Sequence, residues 1–309
     1  MNFASDNTAG IAPEILDALA AGNDGFALGY GNDDVTRAVE RRIGEIFERE
    51  ASVFLVPTGT AANALALAHV SPPWGAVFAH SEAHILTDEC GAPEFFGGGL
   101  KLVGMPGVGC KVAPETLAAH AHGMSVHMDG ARFANALVRL NASPAEITWK
   151  AGVDVLSFGA TKGGALAAEA VVFFDPGAAR NMAERRKRAG HLLSKHRFLA
   201  LQFQAFLAGD CWLRLARHAN AMAERLATGL AAAGCPPVWP VEANLVFILL
   251  SKAQDARLQA AGARYYVRRS ESLAAGVAME PGRSLVRLVT SFATRADEVD
   301  RFIALAAKA

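Results

Sequence analysis

Along most of this chain, short runs of consecutive apolar residues alternate with longer stretches whose apolar positions recur at helical spacing. The runs at residues 53–56, 77–79, 101–103, 125–128, 153–157 and 170–174 predict strands. Most are apolar on both faces, as parallel strands covered by helices must be. Residues 34–49 and 60–69 carry helical patterns between them. The alternation predicts an α/β fold with a doubly wound, mostly parallel sheet.

After Pro176 the pattern turns helical. A basic helix over residues 178–189 leads into a long apolar-rich stretch, 198–233, broken at Gly209. Runs at 244–250 and 285–289 predict strands of a smaller sheet, with helices over 253–261 and 296–307. The chain therefore divides into an N-terminal arm and large domain, residues 1–206, and a small α+β domain, residues 207–309.

Composition narrows the class. The 309 residues are 52% hydrophobic and 19% charged, with net charge +0, which gives no general attraction to nucleic acid or anionic membrane. Cys90, Cys110, Cys211 and Cys235 are scattered without C-x-x-C spacing, so neither a disulfide framework nor a metal site is expected. The N-terminus has no basic start or apolar h-region, and no apolar run approaches the roughly 20 residues of a membrane span. A cytoplasmic protein is the expectation.

The chemistry gathers at strand ends. Lys162 lies in Ser157-Phe-Gly-Ala-Thr-Lys-Gly-Gly164, directly after an apolar run. Asp129 and Arg132 lie in His127-Met-Asp-Gly-Ala-Arg-Phe133, at the end of another. An amine on one strand end and an acid on a neighbouring one suit pyridoxal phosphate, which needs an amine for its aldehyde and a carboxylate for its ring nitrogen. Taken singly, Lys162 reads as a surface lysine and Asp129 as a helix N-cap. Gly159, Gly163 and Gly164 favour the chemical reading, because they let backbone approach a planar ligand. Gly59 and Thr60, in Pro57-Thr-Gly-Thr-Ala-Ala-Asn63, open a helix after a strand, where free amides bind phosphate. His84, just past a strand, either stacks on the ring or is simply structural. Arg132 offers a rigid five-donor fork for a carboxylate or for the cofactor's oxygens, and Arg185-Arg-Lys-Arg188 reads as a solvated helix face or as a group reaching a phosphate across an interface. Arg287, inside the apolar run Val286-Arg-Leu-Val289, needs a partner, and an amino-acid carboxylate is the best candidate.

Taken together these segments resemble the threonine aldolases of the β-eliminating lyase group, pyridoxal-phosphate enzymes of the aspartate-aminotransferase fold type. The likeness is to the low-specificity L-threonine and phenylserine aldolase branch. It extends to Phe3-Ala-Ser-Asp-Asn-Thr8, Gly29-Tyr-Gly-Asn-Asp-Asp34, Asp88-Glu-Cys-Gly-Ala-Pro-Glu-Phe-Phe96 and Arg186-Lys-Arg-Ala-Gly190, in one order through nearly the whole chain. The resemblance implies that Lys162 links covalently to the cofactor, Asp129 pairs with the pyridinium, His84 stacks on the ring, and Gly59 and Thr60 hold phosphate. It implies further that Ser5, Arg132 and Arg287 bind the substrate carboxylate. Tyr30 would reach a neighbouring subunit's site, in a tetramer built from dimers.

Two departures stand out. Similar proteins carry a further strand-bearing segment of roughly 30 residues, about one βαβ unit, between His120 and Ala121. Here residues 114–123 predict one short helix, so the large sheet is expected to lack a central strand and to run to six strands. The other departure is Gly163, where relatives often have asparagine. The expected activity is pyridoxal-phosphate-dependent retro-aldol cleavage of L-threonine-like or phenylserine-like β-hydroxy-α-amino acids to glycine and an aldehyde. The alternatives are another β-eliminating amino-acid lyase on the same cofactor, or a relative that binds it without turnover.

Overall fold

The computed structural model describes residues 1–107, 109, 111–112, 114–115, 123–268 and 281–307. Two helices precede the first sheet strand: α1 (Pro13–Ala21), with proline in its first turn, and α2 (Asp34–Ile46). The Asp33 carboxylate caps α2 by accepting from the Thr36 N–H at 2.8 Å. Then β1 (Ser52–Val56) feeds α3 (Gly59–Val70), in which every residue from Ala61 to Ala68 is buried. A helix apolar on all sides belongs inside a structure, and α3 sits there with its N-terminus open to the site described below.

Next come β2 (Ala76–His80), the short helices α4 (His84–Thr87) and α5 (Ala92–Phe96), and β3 (Lys101–Met105). The chain continues through β4 (His127–Gly130), α6 (Phe133–Leu140), β5 (Val155–Gly159) and β6 (Glu169–Phe173). β5 and β6 are buried at every position, as their unbroken apolar runs require. The expected basic helix is shorter than its pattern, α7 (Met182–Arg188), after a 3-10 turn at Pro176–Ala179. The long apolar stretch divides into α8 (Arg197–Leu207) and α9 (Cys211–Ala232). They meet at Gly209, whose φ of 50° is where the break was predicted.

The small sheet holds β7 (Leu245–Ser251), β8 (Tyr266–Val267) and β9 (Arg283–Val289) in the order β7-β9-β8, backed by α10 (Lys252–Ala260) and α11 (Ala296–Ala307). β8 has only two residues and leaves no periodic signal in sequence. Two cores result. Phe47, Phe133, Phe158, Phe203, Phe206 and Trp212 centre the larger one, Phe158 making edge contacts to Phe47 at 5.6 Å and Trp212 at 5.8 Å. Each such ring contributes about 1.5–3 kcal/mol by burial. The smaller core takes in Phe3, whose N–H donates to Arg264 O and whose O accepts from Val289 N, both at 2.8 Å. The N-terminal arm is thereby sewn onto the small sheet.

The large domain departs from expectation in one respect. Its six strands do not form one sheet. Four pair in the order β1-β6-β5-β4, with β6 antiparallel to both neighbours and β4 parallel to β5, while β2 and β3 form a separate parallel pair. A slot of about 610 Å³ lies between them, walled by residues 76–79 of β2 and by residues 123–127 and 129 leading into and along β4. The sheet does not close, because no described strand lies there to pair both edges. β2 and β3 are accordingly far more exposed than β5 and β6, Phe78 being 50% exposed. The short helix expected over residues 114–123 lies largely outside the described residues.

Candidate active site

At the carboxyl ends of β1, β4 and β5 a cleft of about 490 Å³ collects Gly59, Thr60, Asn63, His84, Glu89, Asp129, Lys162 and Glu169. Strand ends are where open α/β sheets hold ligands. Sequence places most of these residues: each strand delivers its side chain on the turn that follows it.

Lys162 sits in a 3-10 turn, Thr161–Gly163, straight after β5. Gly164 closes that turn at φ 123°, a left-handed conformation that glycine adopts without strain, and its O accepts from Ala12 N at 2.8 Å. Burial, and after it the Arg132 cation, pushes the Lys162 ammonium below its ordinary range. A nucleophilic amine needs that direction. Gly163 has a packing reason of its own. A Cβ there would meet the Phe206 ring at 2.7 Å, so asparagine has no room unless that ring moves.

α3 points its first turn into the cleft. The Thr58 hydroxyl accepts from Ala61 N at 3.1 Å and caps the helix, leaving the Gly59 and Thr60 amides for an anion. One turn on, the Asn63 amide donates to Glu89 Oε1 at 2.9 Å and to Asp129 Oδ2 at 3.0 Å. Asp129 Oδ1 accepts from Ala131 N at 3.0 Å. Asn63 and this backbone amide therefore position the aspartate. Asp129 is exposed, because it borders both the cleft and the slot beside β4.

His84 opens α4 at the cleft wall, its Nδ1–H donating to Glu89 Oε1 at 2.9 Å. That bond, against partial burial, raises the His84 pKa above its ordinary value of 6.5. Nε2 is left to face a ligand. Since the folded value exceeds the unfolded one, this link stabilises the fold fully below the unfolded pKa and ceases to do so as pH rises through the folded pKa. In Glu89→Gln the His84 ring should titrate at lower pH than in the parent protein, read from its proton resonance; an unmoved midpoint would refute the link.

The arginines stand behind the cleft. Arg132 grips Asp6 with two bonds, Nε to Oδ2 at 2.7 Å and Nη2 to Oδ1 at 3.0 Å, and Asn244 adds a third to Asp6 Oδ2 at 3.1 Å. Arg287 is pushed down by burial, by Arg132 and by Arg268; its Nε is buried without a hydrogen-bond partner. Arg268 pairs with Glu82 at 3.2 Å and Arg132 with Asp6, while Arg287 has no carboxylate within ion-pair distance among the described residues and can accept an anion. Ser5 does not reach the cleft. Its hydroxyl accepts from Asn7 N at 3.2 Å, turning the chain so that the buried Asp6 points to Arg132. Tyr30 also lies outside the cleft, half exposed under the Lys187 ammonium, which stands 3.8 Å from the ring centre.

The basic helix face is a further correction. Arg186 is buried and donates to Leu55 O at 3.1 Å, securing the end of β1 just before the phosphate-type turn. Sequence reasoning did not single out Asp6, Asn63, Glu89, Glu169 or Asn244. The available signal was a polar residue flanking or interrupting an apolar run, as Asn63 does among the alanines of α3.

The residues fit pyridoxal phosphate on the structure's own terms. An amine with a lowered pKa, a free helix N-terminus, an acid and a flat ring share one cleft. Asn63 Oδ1 and Glu89 Oε2 are buried without partners beside it.

Comparison with known proteins gives concordant findings. The profile of the Beta-eliminating lyase family matches residues 2–120 and 112–253, its two pieces meeting on the β3–β4 connection. The low specificity L-threonine aldolase of Pseudomonas aeruginosa is 41% identical over 305 residues, covering 85% of this chain and 88% of that protein. Its namesake from Pseudomonas sp. is 38% identical over the same shares. Among solved structures, the threonine aldolase of Leishmania major superposes with a TM-score of 0.89 at 28% identity, covering 98% of each chain. Serine palmitoyltransferase of Sphingomonas wittichii, at 16% identity and TM-score 0.70 over 99% of this chain and 86% of that one, shares the fold.

Proposed function

This chain belongs to the beta-eliminating lyase family, and on that premise we propose that it is a threonine-aldolase-type aldehyde-lyase dependent on pyridoxal phosphate. It cleaves L-threonine-like or phenylserine-like β-hydroxy-α-amino acids to glycine and an aldehyde. Its fold is the α/β fold of pyridoxal-phosphate transferases of type I. The observation that carries the reading is the convergence of Lys162, Asp129 and the α3 N-terminus on one cleft.

When bound, the cofactor supplies an aldehyde for an amine and a protonated ring that accepts the electrons released at the substrate Cα. Lys162 would hold it covalently through a nitrogen whose pKa burial and Arg132 lower. The Gly59 and Thr60 amides would take the phosphate, and the Asp129 carboxylate would keep a proton on the ring nitrogen. His84, on the cleft wall, would border the ring, and its Nε2, freed by the Nδ1–Glu89 bond, would take the β-hydroxyl proton. Arg132 and Arg287 clamp the amino-acid carboxylate, fixing Cα for cleavage.

Further features rest on the same reading. The loop bearing Tyr30 also exposes Phe26 fully and Leu28 at 67%, an apolar surface suited to a second copy. Tyr30 would there enter the neighbouring subunit's cleft, in a dimer that pairs again into a tetramer. The free thiols of Cys90, Cys211 and Cys235 suit the cytoplasm. The expected divide at residues 206 and 207 lies in the last turn of α8, and α9 carries the chain from the larger core, at residues 211–216, to the smaller one, at residues 223–230.

The test is product identity. Purified protein loaded with pyridoxal phosphate should convert L-phenylserine and L-threonine to glycine and the matching aldehyde. Release of ammonia and a keto acid instead would favour β-elimination and overturn the aldolase reading.

A further inference from the structure

Asn63 does more than steady Asp129. Every residue of α3 from Ala61 to Ala68 is buried, and Asn63 is 2% exposed among alanines and leucines. Its Oδ1 has no hydrogen-bond partner. A buried acceptor left unpaired costs stability, in a helix whose backbone alanine suits better than asparagine. The other end of the amide offsets that cost. Both hydrogens of Nδ2 are committed, one to Glu89 Oε1 at 2.9 Å and one to Asp129 Oδ2 at 3.0 Å. The amide cannot be turned over, because Oδ1 would then face two carboxylates.

Glu89 Oε1 is itself shared, accepting from Asn63 Nδ2 and from His84 Nδ1, both at 2.9 Å. One unbranched chain of hydrogen bonds therefore runs from His84 through Glu89 and Asn63 to Asp129, all four lining the cleft. Its ends come from separate parts of the large domain. His84 opens α4 and Glu89 follows it, whereas Asp129 belongs to β4, and α3 packs against both. Among the described residues no ladder joins the β2–β3 pair to β4, so Asn63 supplies a link where the sheet supplies none. The two carboxylate oxygens on Nδ2 are no more than about 6 Å apart, close enough for their charges to repel, and the amide hydrogens lie between them.

We propose that Asn63 is a positioning residue that couples His84 to Asp129, so that one amide sets both the group facing the β-hydroxyl and the group facing the ring nitrogen. In such a chain each bond polarises the next. Charge withdrawn from Asp129 weakens its bond to Nδ2, the amide draws closer to Glu89, and Glu89 Oε1 loosens its hold on the Nδ1–H of His84. Charge restored at Asp129 reverses each step. Asn63 acts on the proposed reaction only through those two side chains. Without it, His84 and Asp129 answer to separate parts of the structure, and two neighbouring carboxylates are left with no donor between them.

The inference rests on the aldolase reading for its purpose, and its first test needs neither cofactor nor turnover. In full-length unloaded protein with 15N-labelled histidine, the ring signals absent from His84→Gln identify His84. Asp129→Asn should move those signals in the parent background and leave them in place in an Asn63→Ala background. Alanine continues the pattern of α3, so that background should fold. Asn63→Leu, which keeps more of the side chain's volume, should break the link in the same way. A shift of equal size with and without Asn63, or no shift in either, overturns the proposal. An inactive protein that passes the change from Asp129 to His84 would reject the aldolase reading and keep the inference. In an active holoenzyme, Asn63→Ala should lower kcat about tenfold with little change in KM. Added to Asp129→Asn, it should lower kcat by less than about twofold more, since the coupling is already cut. Losses that multiply independently also overturn the proposal.

Discussion

Replacing Lys162 with alanine should abolish both the visible colour of protein loaded with pyridoxal phosphate and its cleavage of phenylserine. The loss in kcat/KM should be on the order of 10^4-fold or more. Lys162 is the amine of the cleft, its turn is held by the Gly164–Ala12 bond, and burial with Arg132 lowers its pKa. No other described lysine lines the cleft, so nothing can substitute for it. The alanine leaves the 3-10 turn intact, and the variant should keep its parent's thermal stability in the unloaded form. Absorbance spectra and an aldehyde assay on the same preparation decide the matter, and full activity in the variant would sink the proposed function.

The second large effect is expected at Asp129. Asp129→Ala should reduce kcat/KM on the order of 10²–10³-fold, the scale of losing one preorganised charge beside a reacting group. The alanine also leaves the Asn63 amide, which donates to both Asp129 and Glu89, with one acceptor instead of two. Asp129→Asn separates charge from shape: it keeps the size and the main-chain bond from Ala131 but cannot hold a proton on a ring nitrogen. It should be nearly as slow as alanine. An asparagine variant as fast as the parent would show that the charge has no part in the reaction. Because Asp129 is exposed toward the slot, its field is weaker than in a closed site, and added salt should slow the parent more than the variant.

Much of this was legible from the pattern of apolar runs. A strand end followed by a turn names the place where a side chain meets a cleft, which is why Lys162, Asp129, Gly59, Thr60 and His84 were found. The break at Gly209 and the bounds of α11 followed from one glycine and one helical period. What escaped depends on contacts between residues far apart in sequence. Asn63 reads as a polar interruption of an alanine helix until Glu89 and Asp129 arrive on either side of its amide. Glu169 reads as the polar flank of a strand, and only pairing with both β1 and β5 brings it into the cleft. The family resemblance made Ser5 the carboxylate ligand of its stretch. The neighbouring Asp6 instead proved to be the group that orders Arg132. The parting of the sheet is of the same kind, since the pairing of strand edges is decided by what lies between them.

That parting bears on how the molecule comes apart. Strands joined by a ladder tend to open together, whereas β2 and β3 are tied to the rest through α4 and α5, which pack on α3, and by contacts such as Arg268 with Glu82. They and the α4 segment form a smaller cooperative unit, free to open at a lower cost than the four-stranded sheet. His84 belongs to that unit, while Asp129 and Lys162 belong to the other. A ligand that touches all three bridges the two units, and by mass action it draws the smaller one shut. Occupancy of the cleft and integrity of the β2–β3 arm are thus a single equilibrium.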